Sequence, residues 1–286
     1  MKDNSITYNY HTKNILLAFI LISIFTLIQF FGFFTTNSVV LYAGAIHATG
    51  DGIKLLSTYI LEKLSLREAN STFTYGFRRL SLFAAIINII ILLLGSIEAY
   101  ELAFNRLSNP EVIESNYVII IALFGIFITL LSSYLLYNKK SIVSNVLSKG
   151  LFFDSLNNIS ILISSIIIFF TDIYIIDSLL AIVFATLMII SVSNNLKDIY
   201  YILMQAVPKD INIKGIKSII LNNKEVEEVH DLHIWTLDNE VYILTCHIVL
   251  KDSELSLINT NSLKDKIKED LISYKIKHIT FEMCNK

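Results

Sequence analysis

The apolar positions gather into six long runs, followed by a stretch in which short helical and alternating patterns mix. The runs lie at about 14–34, 38–61, 81–104, 117–137, 143–170 and 174–205. Roughly 20 apolar residues cross a bilayer as a helix, so each run predicts one transmembrane span. The last two exceed that length and predict tilt or extension beyond the membrane. Residues 1–13 are polar and predict a disordered or interfacial tail. The first run does not read as a signal peptide, because Phe33-Phe34-Thr35-Thr36 offers no small-residue cleavage site. Apolarity falls at Met204-Gln-Ala-Val-Pro208, where proline stops the sixth helix, with Asp210 as the cap of the next. Residues 208–286 predict a small α+β domain: a helix over 211–222, strands over 226–236 and 241–250, a helix over 260–274 and a strand over 277–284. The turn Leu237-Asp-Asn-Glu240 joins the first two strands.

Composition sharpens this picture. Hydrophobic residues make up 54% of the chain and proline only 2 of its 286 positions, which excludes an ordinary soluble domain. With 23 basic and 25 acidic residues, the charge balance leaves no case for nucleic acid as a partner. Basic residues mark alternate loops: Lys63, Arg67, Arg78 and Arg79 follow the second span, and Lys139 and Lys140 follow the fourth. The opposite loops hold little positive charge, so the expectation is a multi-pass protein with both termini cytoplasmic, in a bacterial inner or plasma membrane. Cys246 and Cys284 allow one disulfide but do not form a secretory framework.

The chemistry sits in His47-Ala-Thr-Gly-Asp51, inside the second apolar run. Residues four apart share a helix face. A charge at mid-membrane costs ~2.5–3.5 kcal/mol on insertion scales, so an ionisable pair there calls for a function. Asp154 adds a second carboxylate from the fifth run. Imidazole with carboxylates suits zinc and other first-row divalent ions. The expected arrangement is therefore His47, Asp51 and Asp154 closing on a cation that crosses the membrane. Two other readings stay open: a histidine that merely bonds a neighbouring helix, and an intramembrane acyltransferase, whose His and Asp have a different spacing. Asp172 and Asp177 fall at a span boundary and read as interfacial. Asn158 reads as an interhelical hydrogen-bonding group.

The chain resembles the cation diffusion facilitator family, in its zinc-transporting branch. The resemblance rests on His47…Asp51, on Thr74-Tyr-Gly-Phe-Arg-Arg79, on Asp154 followed by Ser155 and Asn158, on Met204-Gln-Ala-Val-Pro208, and on Val229-His-Asp-Leu-His-Ile-Trp235. It implies a membrane six-helix bundle carrying a ferredoxin-like, metallochaperone-like cytoplasmic domain. It also implies a homodimer without enzymatic activity or a permanently bound cofactor, and proton-coupled efflux of a divalent metal by alternating access. Its transport site would be tetrahedral, with two ligands from each of two spans. Here the chain departs: the position one turn before Asp154 is Gly150, preceded by Lys149. The missing ligand leaves three expectations open: a site completed by water, a shift toward manganese or ferrous iron, or an impaired, regulatory partner with Lys149 repelling the cation.

In the C-terminal domain, His230, His233, His247, His278, Glu282 and Cys284 are spread over the three expected strands. The resemblance matches His230 and His247 to metal-binding positions, and Cys284 to one where the family often has an acid. Zinc bound there would be structural and would brace two copies together.

Overall fold

The computed structural model describes residues 2–64, 70–137, 142–238, 241–251 and 257–284. Arg67, Lys139, Lys140 and the second half of the turn at 237–240 lie outside the described residues. The chain divides into two compact units, residues 1–196 and 197–286.

The first unit is built from long helices: α1 (Lys2–Thr36), α2 (Val39–Leu64), α3 (Leu80–Ser108), α4 (Ser115–Leu136), α5 (Ile142–Thr171) and α6 (Ile175–Leu203), the last running past the division. α1 starts well before residue 14, where the apolar run begins. No proline or glycine interrupts residues 2–13, so the hydrogen-bond ladder continues through the polar segment. Five of these helices are long and apolar enough to cross a membrane; α2 is not among them. The cause is its content of His47, Asp51, Lys54, Glu62 and Lys63. A polar helix is tolerated at membrane depth when protein surrounds it. α2 meets that condition: it packs on α1, α3 and α5, and Val39–Ala43 are all buried, as are Gly50, Asp51 and Gly52.

The remaining close pairs are α1 with α4 and α4 with α5. Small residues let the backbones approach. A Cβ on Gly95 of α3 would sit 2.5 Å from Ile46 of α2, and one on Gly125 of α4 would sit 2.4 Å from Phe25 of α1. Ser133 of α4 and Ser148 of α5 each donate to the other's carbonyl at 2.8 Å, which fixes the register of α5 just before Asp154. The outer faces are apolar, as with Leu27, Phe31 and Phe34 on α1 and Phe83, Leu94 and Phe104 on α3. Water disfavours such a surface, and lipid does not.

Asp177 corrects the reading of an interfacial acid. It is 1% exposed, accepts from Ser38 Oγ at 2.5 Å and from Val40 N at 3.2 Å, and so caps α2 from the neighbouring chain segment. A carboxylate at a helix N-terminus satisfies orphan N–H groups and complements the helix dipole. Asp177→Ala is expected to cost about 1–3 kcal/mol by leaving these donors unsatisfied. Thermal unfolding in detergent would register the loss, and Asp177→Asn should recover part of it.

The second unit holds α7 (Ile213–Leu221), β1 (Val226–Thr236), β2 (Tyr242–Leu250), α8 (Leu257–Ile272) and β3 (Ile276–Cys284). The sheet order is β1-β2-β3, with β2 antiparallel to β1 and parallel to β3. This is the order of a β-α-β-β-α-β unit without its first strand. Ile216, Ile220, Val229, Ile234, Leu244, Ile248, Ile267 and Leu271 form its core, between the helices and one sheet face. The cap of α7 is Asn212, whose side chain accepts from Lys214 N and Gly215 N, and not Asp210. Asp210 instead accepts from Tyr242 OH at 2.6 Å and pairs with Lys275 at 3.1 Å. Those contacts, with the tyrosine bond foremost, hold its carboxyl below the usual range, while burial pushes the Tyr242 phenol up to about 12.

Candidate metal sites

Four residues on one helix place His47 and Asp51 on the same face, and packing of α2 on α5 brings Asp154 to them. His47 Nε2 lies 2.9 Å from Asp154 Oδ1 and 3.6 Å from Asp51 Oδ2. One donor atom from each residue falls within 4.8 Å of the others. Bonds of ~2.0–2.2 Å to a tetrahedral ion set its ligand atoms roughly 3.4 Å apart, so small side-chain shifts fit the three around a single cation. The structure thus brings the three side chains together. It opens on a cavity of about 120 Å³, lined also by Gln29, Asn157, Asn158 and Met188. Gln29 Oε1, buried in this wall, has no hydrogen-bond partner among the described residues. Asn158 donates to the carbonyl of Asp154 at 3.2 Å, so among the described residues its hydrogen bond is within its own helix.

Gly150 lies one turn before Asp154 on the same helix face. A Cβ built there meets nothing within 4 Å, so a side chain can be accommodated, although Gly150 is exposed and does not itself line the cavity. Lys149 is exposed and is not among the lining residues of the cavity. The cation at the site is Lys54, which the apolar pattern of its helix does not single out. Its Nζ lies 2.9 Å from Asp51 Oδ1, and the side chain lines the cavity. The signal was a basic residue one turn past Asp51, before the apolar run had ended.

A second group of donors lies on the sheet face of the C-terminal unit opposite the core. Histidines three apart on a regular strand face opposite ways. Here an extra residue bulges out of β1 between His230 and His233, with Asp231 at φ 50°, and both histidines end on the exposed face. His230 is registered with His247, and their rings lie 5.1 Å apart. His247 Nδ1 is 3.9 Å from Cys284 Sγ, and its Nε2 is 3.4 Å from Glu282. His230, His247 and Cys284 form a possible three-donor set. Imidazoles with a thiolate suit zinc. Asp231, which no spacing along the strand marks out, joins the group: it contacts His233 at 2.9 Å and His247 at 3.6 Å. Its bond to His233 holds its carboxyl below the usual range, so it stays ionised. His233 therefore sits at the edge of the cluster, through Asp231. His278 is not brought in: it is registered with Ile243, four residues before Glu282, which is roughly 13 Å along a strand. Cys246 and Cys284 are both free thiols. Cys246 faces the core, where burial pushes its thiol up to about 12 and removes it as a ligand.

Two family descriptions match this chain. Residues 15–204 match the cation efflux transmembrane domain, and residues 208–284 match the cation efflux protein, cytoplasmic domain. Among curated relatives, a cadmium, cobalt and zinc/H(+)-K(+) antiporter of Bacillus subtilis is 30% identical over 275 residues, covering 95% of this chain and 88% of its own. Zinc transporter ZitB of Pectobacterium atrosepticum is 25% identical, over 98% of this chain and 88% of its own. The metal cation efflux system protein CzcD of Cupriavidus metallidurans is 29% identical, over 83% of this chain and 76% of its own.

Proposed function

This chain belongs to the cation efflux family of membrane transporters, and from that premise we propose that it exports divalent metal cations, zinc first, in exchange for protons. The observation that carries the reading is the convergence of His47, Asp51 and Asp154, from two helices, within reach of one ion. In this reading α2 is a sixth crossing, held inside the bundle, and both termini face the cytoplasm. The chain acts as a homodimer.

Metal and protons compete for the same atoms. His47 must be neutral and the carboxylates ionised to bind the cation, so loading displaces protons and re-protonation drives release. Imidazole titrates near neutrality and suits that exchange. The bundle alternates between a state open to the cytoplasm and one open to the far side, around the same three ligands. A water completes the coordination where Gly150 leaves space.

A second reading has one observation in its favour. Two of the three ligands are carboxylates and the fourth position is open, a set that suits harder ions such as manganese or ferrous iron. The alternative of a regulatory partner rests on the same missing ligand. Uptake into everted vesicles under a proton gradient, with zinc, manganese, iron and cobalt offered singly, separates these readings. Zinc should move fastest. Movement of manganese or iron alone would favour the harder-ion reading, and no movement of any ion would favour the regulatory one.

The cytoplasmic cluster is proposed to hold a structural zinc through His230, His247 and Cys284, with Glu282 beside them. Such a metal would brace the domains of two copies. His247→Ala removes one of the proposed ligands and is expected to weaken zinc binding at this cluster by at least tenfold, about 1.4 kcal/mol. Competition with a chelating dye, on the full chain carrying Asp51→Asn to silence the membrane site, would measure it.

A further inference from the structure

The α2 helix carries two charges of opposite sign, one turn apart, at the mouth of a metal site. Lys54 Nζ stands 2.9 Å from Asp51 Oδ1, while Asp51 Oδ2 stands 3.6 Å from His47 Nε2. One carboxylate thus faces an imidazole on one side and an ammonium on the other. We propose that Lys54 is a tethered competitor for the metal, which neutralises Asp51 in the empty transporter and must give way when a divalent cation binds. This rests on His47, Asp51 and Asp154 being the transport ligands.

The charges support that role. Once its protons have left, the site carries the two negative charges of Asp51 and Asp154, and the ammonium reduces this to one. An unpaired charge is costly at membrane depth, so the tethered cation favours the empty state. With a divalent ion bound, the same ammonium becomes a like-charge neighbour. Coulomb repulsion then opposes loading and assists release. Ions held weakly fail to displace it, whereas ions with strong imidazole and carboxylate bonds succeed. Lys54 is therefore a specificity-determining residue that also limits affinity. The geometry allows the exchange, since the lysine side chain is half-exposed on a flexible stem and can swing off Asp51 without moving the helix.

The test uses the full-length protein in nanodiscs, with His230→Ala and His247→Ala removing the cytoplasmic cluster. Zinc and cadmium affinities are measured for this background and with Lys54→Met, Lys54→Arg or Asp51→Asn added. Lys54→Met should bind about 10- to 100-fold more tightly, the size expected for a screened repulsion across one helical turn. Lys54→Arg, which keeps the charge, should stay close to the background. A merely structural lysine would show loss in Lys54→Met, not gain. In proteoliposomes Lys54→Met should lower both KM and turnover, because release slows. If Lys54→Met binds no more tightly while Asp51→Asn abolishes binding, the tethered-competitor role is overturned and the transport site stands. If Lys54→Arg binds as tightly as Lys54→Met, charge is not the cause and the role is again overturned. If Asp51→Asn leaves binding intact, the site itself is wrong.

Discussion

Asp51→Asn and Asp154→Asn are each expected to abolish metal transport while leaving a folded protein. Each substitution keeps the side-chain volume and some hydrogen bonding but removes a charged donor from the set of three that comes together among the described residues. The remaining pair cannot hold a divalent ion against water. Loss of one charged ligand of three is expected to weaken binding at least a hundredfold, about 2.8 kcal/mol. Proteoliposomes with an internal zinc indicator would show the loss of flux. Unchanged elution and thermal unfolding would show that the fold persists. Flux near the wild-type rate in either variant would remove the carboxylate concerned from the transport site.

The second large effect is a gain. Gly150→His is expected to tighten zinc binding at least tenfold, about 1.4 kcal/mol. The position is one turn from Asp154 on the same face of α5, and a side chain there meets no obstacle within 4 Å of its Cβ. A fourth ligand, the second nitrogen of the set, closes the tetrahedron and displaces water. The same change should raise zinc over manganese, because imidazole favours zinc more than carboxylate does. Titration calorimetry with each metal reads both effects. Equal affinities for the glycine and histidine forms would mean that residue 150 does not face the ion.

Much of the site was legible because its chemistry conflicts with its surroundings. His47, Asp51 and Asp154 stand out in apolar runs, and their spacing on a helix needs no tertiary information. Lys54 obeys the same logic, but near the end of an apolar run a lysine looks like an approaching boundary. Only the contact with Asp51 gives it a role. Asp177 was less readable still. Its function as a cap depends on α6 meeting the start of α2 across 137 residues, which no local pattern encodes. In the C-terminal unit, alternation alone puts His230 and His233 on opposite faces. The bulge at Asp231 reverses that, and its left-handed backbone in a non-glycine residue leaves little trace in composition. The helices themselves followed the apolar runs, except where a polar segment continued the helix at the start of α1.

Whether one ion gathers ligands from both α2 and α5 is tested most directly by zinc-edge X-ray absorption. The sample is the full chain with His230, His247 and Cys284 replaced by alanine, loaded with one zinc per protomer. A shell of one imidazole nitrogen and carboxylate or water oxygens at about 2.0–2.2 Å is expected, and it should disappear in both Asp51→Asn and Asp154→Asn. A shell built from several imidazoles, or one that survives either substitution unchanged, would contradict it.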